Sequence, residues 1–183
     1  MLTAAQTYTG ATIIRGGTLQ LRDAGALTLT SSVTNNFGTL NLDNSNVTNF
    51  NNTDRLPTAT PVTLMGGNLT LTGAPGFTST ETVGTITVQQ GASTIASIPG
   101  AIGATSLTIG NLVRTASGST VNFTGNSLGQ VFAANGQTFL TQVNGVAPTS
   151  GVFIAPWAIV NQSDFAAYLT PTVTQGGVGA MGT

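Results

Sequence analysis

The chain has 183 residues, enough for one sizeable core or one continuous repeat array, and 40% of them are hydrophobic against only 5% charged. A net charge of −1, with Arg15, Arg22, Arg55 and Arg114 scattered singly, excludes the basic surface that a nucleic-acid partner needs. Cys and His are both absent, which removes disulfides, thiolate metal centres and the commonest general base.

The first ten residues, MLTAAQTYTG, lack the basic and apolar regions of a secretory signal, so the chain is expected to be an excerpt that begins inside a repeat. From there a short alternating segment recurs. It stands as Thr18-Leu19-Gln20-Leu21, Leu27-Thr28-Leu29, Thr39-Leu40-Asn41-Leu42, Val62-Thr63-Leu64, Leu69-Thr70-Leu71, Ile86-Thr87-Val88, Leu107-Thr108-Ile109 and Val121-Asn122-Phe123. Alternation at period two marks strands with one buried and one wet face. Gly and Asn between the segments suit turns with positive φ. No run is apolar over the ~20 residues of a membrane-spanning helix.

Spacing selects the architecture. Leu19 to Leu40, Leu40 to Val62, and Ile86 to Leu107 are each about 21 residues apart, a solenoid period, whereas a sandwich places strands every ~8–12 residues. The expectation is an all-β, right-handed parallel β-helix (β-solenoid) of about eight coils with a less regular C-terminal segment. Residues 1–125 form the repeat region, with a polar loop at 43–61 protruding from one corner. Residues 126–168, richer in aromatics, form a terminal cap or inter-subunit joint, in which 163–168 is either one helical turn or the way into a last strand. Residues 169–183 are expected to be a flexible tail.

The segment Gln6-Thr7-Tyr8-Thr9-Gly10-Ala11-Thr12-Ile13-Ile14-Arg15-Gly16-Gly17-Thr18-Leu19-Gln20-Leu21 resembles the autotransporter-associated β-strand repeat of long bacterial surface proteins, including those of planctomycete-like bacteria. Later stretches are similar to further parts of that repeat region, among them Val62–Gly67, Val121–Gly125 and Trp157–Asn161 with Asp164–Ala166. The resemblance implies a β-helical passenger or stalk segment and carries over no catalytic residue and no cofactor.

Read directly, the chemistry is sparse. Asn52-Thr53-Asp54 superficially matches a motif of β-helical pectin hydrolases, but the convergent carboxylates of glycoside hydrolysis have no candidates here, so Asp54 reads as a turn residue that pairs with Arg55 or caps local amides. Ser and Thr lack any plausible base, and no enzyme activity is expected. Asp43, Asn44 and Asp54 are the best candidates for a Ca²⁺ site, short of the six to eight oxygens such a site takes. Tyr8, Phe37, Phe50 and Trp157 read as core stacks ahead of glycan or subunit contacts. Phe153, Trp157, Phe165 and Tyr168 are the candidate subunit or ligand contacts, and Glu81 with Arg114 a candidate surface ion pair.

These readings combine into a structural, extracellular module at a bacterial cell surface that polymerises with itself, or with neighbouring repeats, by end-to-end stacking. Both ends of such a ladder are expected to be open edges. The alternative is an adhesin or glycan-binding module on a stalk.

Overall fold

The computed structural model describes residues 1–46, 51–130, 134–172 and 175–181, and among them every regular element is a β-strand. The chain runs repeatedly through ladders of parallel strands. A first circuit contains β1 (Ala5–Gln6), β2 (Thr12–Arg15) and β3 (Thr18–Arg22); a second contains β4 (Ala26–Leu27), β5 (Val33–Asn36) and β6 (Thr39–Asp43). The third passes Arg55 and Leu56 into β7 (Val62–Met65) and β8 (Asn68–Thr72). The fourth consists of β9 (Thr78–Gln90) and β10 (Ala92–Ile98), and the fifth of β11 (Ala104–Arg114) and β12 (Thr120–Gly125). After β13 (Gly129–Gln130), the sixth comprises β14 (Gly136–Leu140) and, beyond β15 (Val152–Phe153), β16 (Ala158–Val160); β17 (Asp164–Leu169) and β18 (Gln175–Ala180) follow.

One ladder stacks β2, β5, β7, β9, β11 and β14, all parallel; a second stacks β3, β6, β8, β10, β12 and β16, also parallel; β1 and β4 begin a third. Pairing in register brings like side chains above one another. Leu19, Leu40, Leu69, Ile95, Phe123 and Val160 form one continuous column. Thr12, Val33, Val62, Ile86 and Leu112 form a second. From Leu40 to Phe123 the first column is fully buried, so the inner faces supply a dry core while Thr and Asn occupy the outer ones.

Three expectations about the ladder need correction. The described residues make six circuits rather than about eight, because the interval grows beyond the first step: Leu19 pairs with Leu40, but Leu40 pairs with Leu69 and not with Val62, and Ile86 pairs with Leu112 and not with Leu107. The inserted residues lie between the ladders. The segment expected to protrude at 43–61 instead returns to the core, since Arg55 and Leu56 are fully buried; residues 47–50, with Phe50, lie outside the described residues. Tyr8 and Phe37 are 42% and 65% exposed and are not core stacks.

The corner between the first two ladders shows what the turns require. Gly16, Phe37, Gly66 and Gly91 occupy it in successive circuits, all left-handed, with φ of 74°, 53°, 68° and 65°. Phe37 is the one side chain in that series, and its ring lies over Gly66, where a Cβ would come within 2.7 Å of Phe37 Cε1. Glycine at 66 is therefore demanded by both backbone and neighbour.

The two ends of the ladders differ. Strand β16 turns back through Asn161 and Gln162, both left-handed at φ 48° and 57°, and pairs antiparallel with β17, which pairs antiparallel with β18. Strand β18 also pairs with β13 and packs closely on β14, since a Cβ at Gly177 would lie 2.5 Å from the Thr138 carbonyl oxygen. The expected flexible tail is thus in part a buried strand, with Gly176 to Gly179 shielded from solvent, and 163–168 is strand rather than helical turn. At the other end, β2 pairs only with β5 among the described residues. Among the described residues only Leu2, bridged to Leu21 through hydrogen bonds to Gln20 O and from Arg22 N–H, lies across β3. Leu19 is accordingly half-buried at the start of its column, whereas Val160 at the far end is 3% exposed. One edge is open and one is closed.

Candidate functional site

Three of the four aromatic candidates, Phe153, Phe165 and Tyr168, lie on the antiparallel pair β15–β17 at the closed end, and Trp157 lies just ahead of β16. Strand β15 pairs with β17, setting Val152 opposite Tyr168 and Phe153 opposite Ala167. Phe153 and Phe165 then meet edge to face, with ring centroids 5.2 Å apart and planes at 89°, a favourable quadrupolar arrangement. Phe165 remains half-exposed. Tyr168 packs its ring against the core, and burial raises its hydroxyl pKa. Trp157 is buried, with the Arg114 guanidinium 6.0 Å from its ring centre, a cation–π contact. The surface component of the set is therefore Phe153 and Phe165, whereas Trp157 is buried.

Beside Phe165 the β16–β17 turn forms a shallow depression of about 250 Å³ lined by Ile159, Gln162, Ser163, Asp164 and Phe165. Asp164 Oδ1 accepts its neighbour's backbone N–H, that of Phe165, at 2.7 Å, and Ser163 Oγ donates to Val160 O at 3.2 Å. A half-exposed ring next to a carboxylate, a hydroxyl and an amide can stack on and hydrogen-bond a hydroxylated ring. It offers no acid–base pair.

The second polar cluster is internal. Arg55, fully buried, donates from Nε and Nη2 to Asn44 Oδ1 at 3.0 and 2.6 Å, from Nη1 to Gly25 O at 2.5 Å, and from Nη2 to Asp43 O at 2.7 Å and Asp23 O at 3.2 Å. Its backbone N–H and that of Leu56 donate to the two oxygens of Glu81, each at 3.1 Å. Glu81 is 1% exposed, and burial, only partly offset by those two N–H donors, pushes its carboxyl up to about 8. Burial also lowers the Arg55 pKa, opposed by Glu81, Asp43 and Asp23.

This arrangement changes the reading of the polar candidates. The Asn44 side-chain oxygen, weighed for Ca²⁺, is occupied by Arg55 and by Asn52 N–H; Asp43 accepts from Ser45 N–H at 2.8 Å and Gln20 Nε2 at 2.6 Å. The described residues hold no group of three or more His, Cys, Asp or Glu placed to share a metal ion. Asp54 is a turn residue whose N–H donates to Asn52 Oδ1 at 3.0 Å, while the Arg55 guanidinium turns to Asn44 and main-chain carbonyls instead of pairing with it. Glu81 and Arg114 do not form the expected surface pair: Glu81 is internal, and Arg114 donates to Ala116 O at 2.9 Å.

Arg55 and Glu81 as a buried unit were not anticipated. A signal existed for Glu81: Ser79, Glu81 and Val83 share one parity, and Val83 is an inward residue of β9. No family model, no curated protein and no solved structure matches this chain.

Proposed function

We propose that the chain is a structural, extracellular β-solenoid module that extends a bacterial cell-surface fibre. The carrying observation is the in-register column from Leu19 to Val160, open at its first residue and closed at its last. A ladder of this kind adds about 4.8 Å per circuit, bears almost no charge to discourage association, and leaves its first edge largely uncovered among the described residues, whereas at the far end β17 pairs with β16 and β18 packs over β14. The closed edge favours extension from the N-terminal side over head-to-tail polymerisation of identical subunits. Few cleavage sites for trypsin, with Arg55 buried, suit material exposed to proteases. The resemblance of residues 6–21 to repeats of surface stalks points the same way, toward a non-catalytic role.

The test is length. Ten further copies of residues 12–32, joined ahead of the chain, are expected to lengthen the particle by about 48 Å in small-angle scattering, at ~4.8 Å per circuit. An unchanged maximum dimension, or loss of the cooperative fold, overturns the reading.

A second reading, an adhesin with a glycan contact, is favoured by one observation: the half-exposed Phe165 beside Gln162, Ser163 and Asp164. Glycan-array binding that disappears in Phe165→Ala supports it; absence of binding by the folded chain removes it.

A further inference from the structure

The depression at Phe165 is one half of a longer groove. A second depression, of about 200 Å³, has Val146, Pro148, Val152 and Phe153 among its lining residues. Phe165 lines the first and Phe153 the second, and their rings meet edge to face, so the two depressions adjoin at the ring pair. Ile159 stands directly across from Phe165 in the β16–β17 pair and shares its face. Strand β18 takes the opposite edge of β17 from β15 and β16. One half is thus polar around an aromatic ring, and the other is largely apolar, with Val146 and Val152 exposed.

Hydrogen bonding in the polar half selects the ligand. Three backbone N–H groups of the turn are already engaged: Gln162 donates to Asn122 Oδ1 at 3.0 Å, Ser163 to Val160 O at 3.0 Å, and Phe165 to Asp164 Oδ1 at 2.7 Å. Ser163 Oγ also directs its proton inward, to Val160 O. Among the described residues, the groups left to face a ligand are the second Asp164 oxygen, the Ser163 Oγ lone pairs and the Gln162 amide. An anion meets a carboxylate there, and neither it nor a peptide strand finds those three N–H groups free. Hydroxyl groups, which donate as well as accept, match the set. Gln162 carries its side chain at a cost: it is left-handed at φ 57°, directly after Asn161, in a turn where glycine is the unstrained choice. That exposed side chain nonetheless lines the depression.

We infer that the groove binds a linear, uncharged oligosaccharide. One sugar ring lies on Phe165, its hydroxyls donating to Asp164 and Ser163 and accepting from Gln162. The next crosses Phe153 into the apolar half, against Val146, Pro148 and Val152. The inference goes beyond the structural role. It rests on the glycan reading and deepens it by naming the class of glycan and a second subsite.

The probes are linear tetrasaccharides of glucose, galactose, mannose and xylose, the matching monosaccharides, and uronic acid tetrasaccharides, each titrated into the whole chain by calorimetry. At least one neutral tetrasaccharide is expected to bind, about tenfold or more tighter than its monosaccharide and than the uronic acid tetramers. Val146→Asp, at an exposed position, is expected to remove the advantage of the tetrasaccharide over the monosaccharide. Asp164→Asn is expected to weaken the neutral ligand and to narrow its margin over the uronic acids, a change of selectivity that misfolding does not produce. A monosaccharide that binds as well as the tetramer, a preference for uronic acids, or binding untouched by both substitutions overturns the inference and leaves a glycan contact standing. No binding to any of these probes by the folded chain also overturns it, and the glycan array then decides the broader reading separately.

Discussion

Glu81 takes the place of a strand for Arg55: its Oε2 accepts the Arg55 backbone N–H at 3.1 Å, while Oε1 accepts that of Leu56 at the same distance. On the other side of the same segment, Arg55 O accepts Leu27 N–H at 2.8 Å, as a parallel neighbour would. The third ladder therefore runs from β1 through β4 to Arg55 and is finished by a carboxyl group where the next backbone does not reach. Glu81 can do this because it occupies an inward position, in register with Leu107 and, beyond it, Thr138.

That placement sets a pH dependence. Burial raises the Glu81 carboxyl from an ordinary value near 4.5 to about 8 in the folded chain. Between those values the folded state holds a proton that the unfolded state has released, so stability falls as pH rises. Urea melts are expected to give a stability lower by a few kcal/mol at pH 8.5 than at pH 5, levelling off above the folded pKa. Glu81→Gln keeps one acceptor, is expected to lose about 1–2 kcal/mol near pH 5, and flattens the slope between pH 5 and 8.5. An unchanged slope in that variant refutes the assignment.

Removing Arg55 strands its acceptors. Asn44 Oδ1 and the carbonyls of Asp23, Gly25 and Asp43 lose their guanidinium donors, in a segment closed to solvent at Arg55 and Leu56. Arg55→Met is expected to lower unfolding free energy by roughly 3–5 kcal/mol. Arg55→Lys recovers only part of this, because one ammonium lacks the planar fork that reaches Asn44 and Gly25 together. Equilibrium denaturation of both variants measures the difference, and near-wild-type stability in Arg55→Met is the contrary result.

Ile102 stores local strain. It is β-branched, 90% exposed and left-handed at φ 51°, third in a turn closed by Gly103 N–H to Gly100 O at 2.9 Å. One circuit earlier the equivalent turn, closed by Phe77 N–H to Ala74 O, has Pro75 second and Gly76 third, the residues such a turn favours. Ile102→Gly is expected to stabilise the chain by about 1 kcal/mol, since the relieved strain exceeds the added freedom of the unfolded chain. A thermal melt that moves downward counts against this.

The inward parity of most strands was legible in sequence, because Leu19 and Leu21, Leu40 and Leu42, and Leu69 and Leu71 alternate with Gln, Asn and Thr. The pairing interval was not. It is set by which residue occupies each left-handed corner and by how much chain is spent between ladders, and Phe37 carries no glycine signature although it stands in the column of Gly16 and Gly66. The strand β18, expected to be flexible tail, was missed for a related reason. The Asn161-Gln162 turn lacks the glycine that marks most tight hairpins, and the glycines of β18 read as linker when their use is close approach to Thr138 and Gly129. In the candidate site, the aromatic cluster was visible from composition, but the division between buried Trp157 and half-exposed Phe165 depends on tertiary packing.

The closed end yields the most direct test of the asymmetry between the two edges. A chain ending at Leu169 lacks β18, which pairs with β17 along Ala166–Leu169 and lies against Thr138 of β14. Its removal leaves β13 without its partner, strips one of three partners from β17 and exposes the buried Val178 contact surface, so the truncated chain is expected to be less stable and to associate through the newly opened edge. With both edges open, that association runs head to tail and grows with concentration, giving elongated oligomers in sedimentation. The intact chain is expected to sediment without such growth. Gly177→Ala is the point version: at φ 80°, with a Cβ 2.5 Å from Thr138 O, it displaces β18 without deleting it and moves the sedimentation profile in the same direction. If the truncated chain stays monomeric and as stable as the whole, β18 is not what closes the ladder.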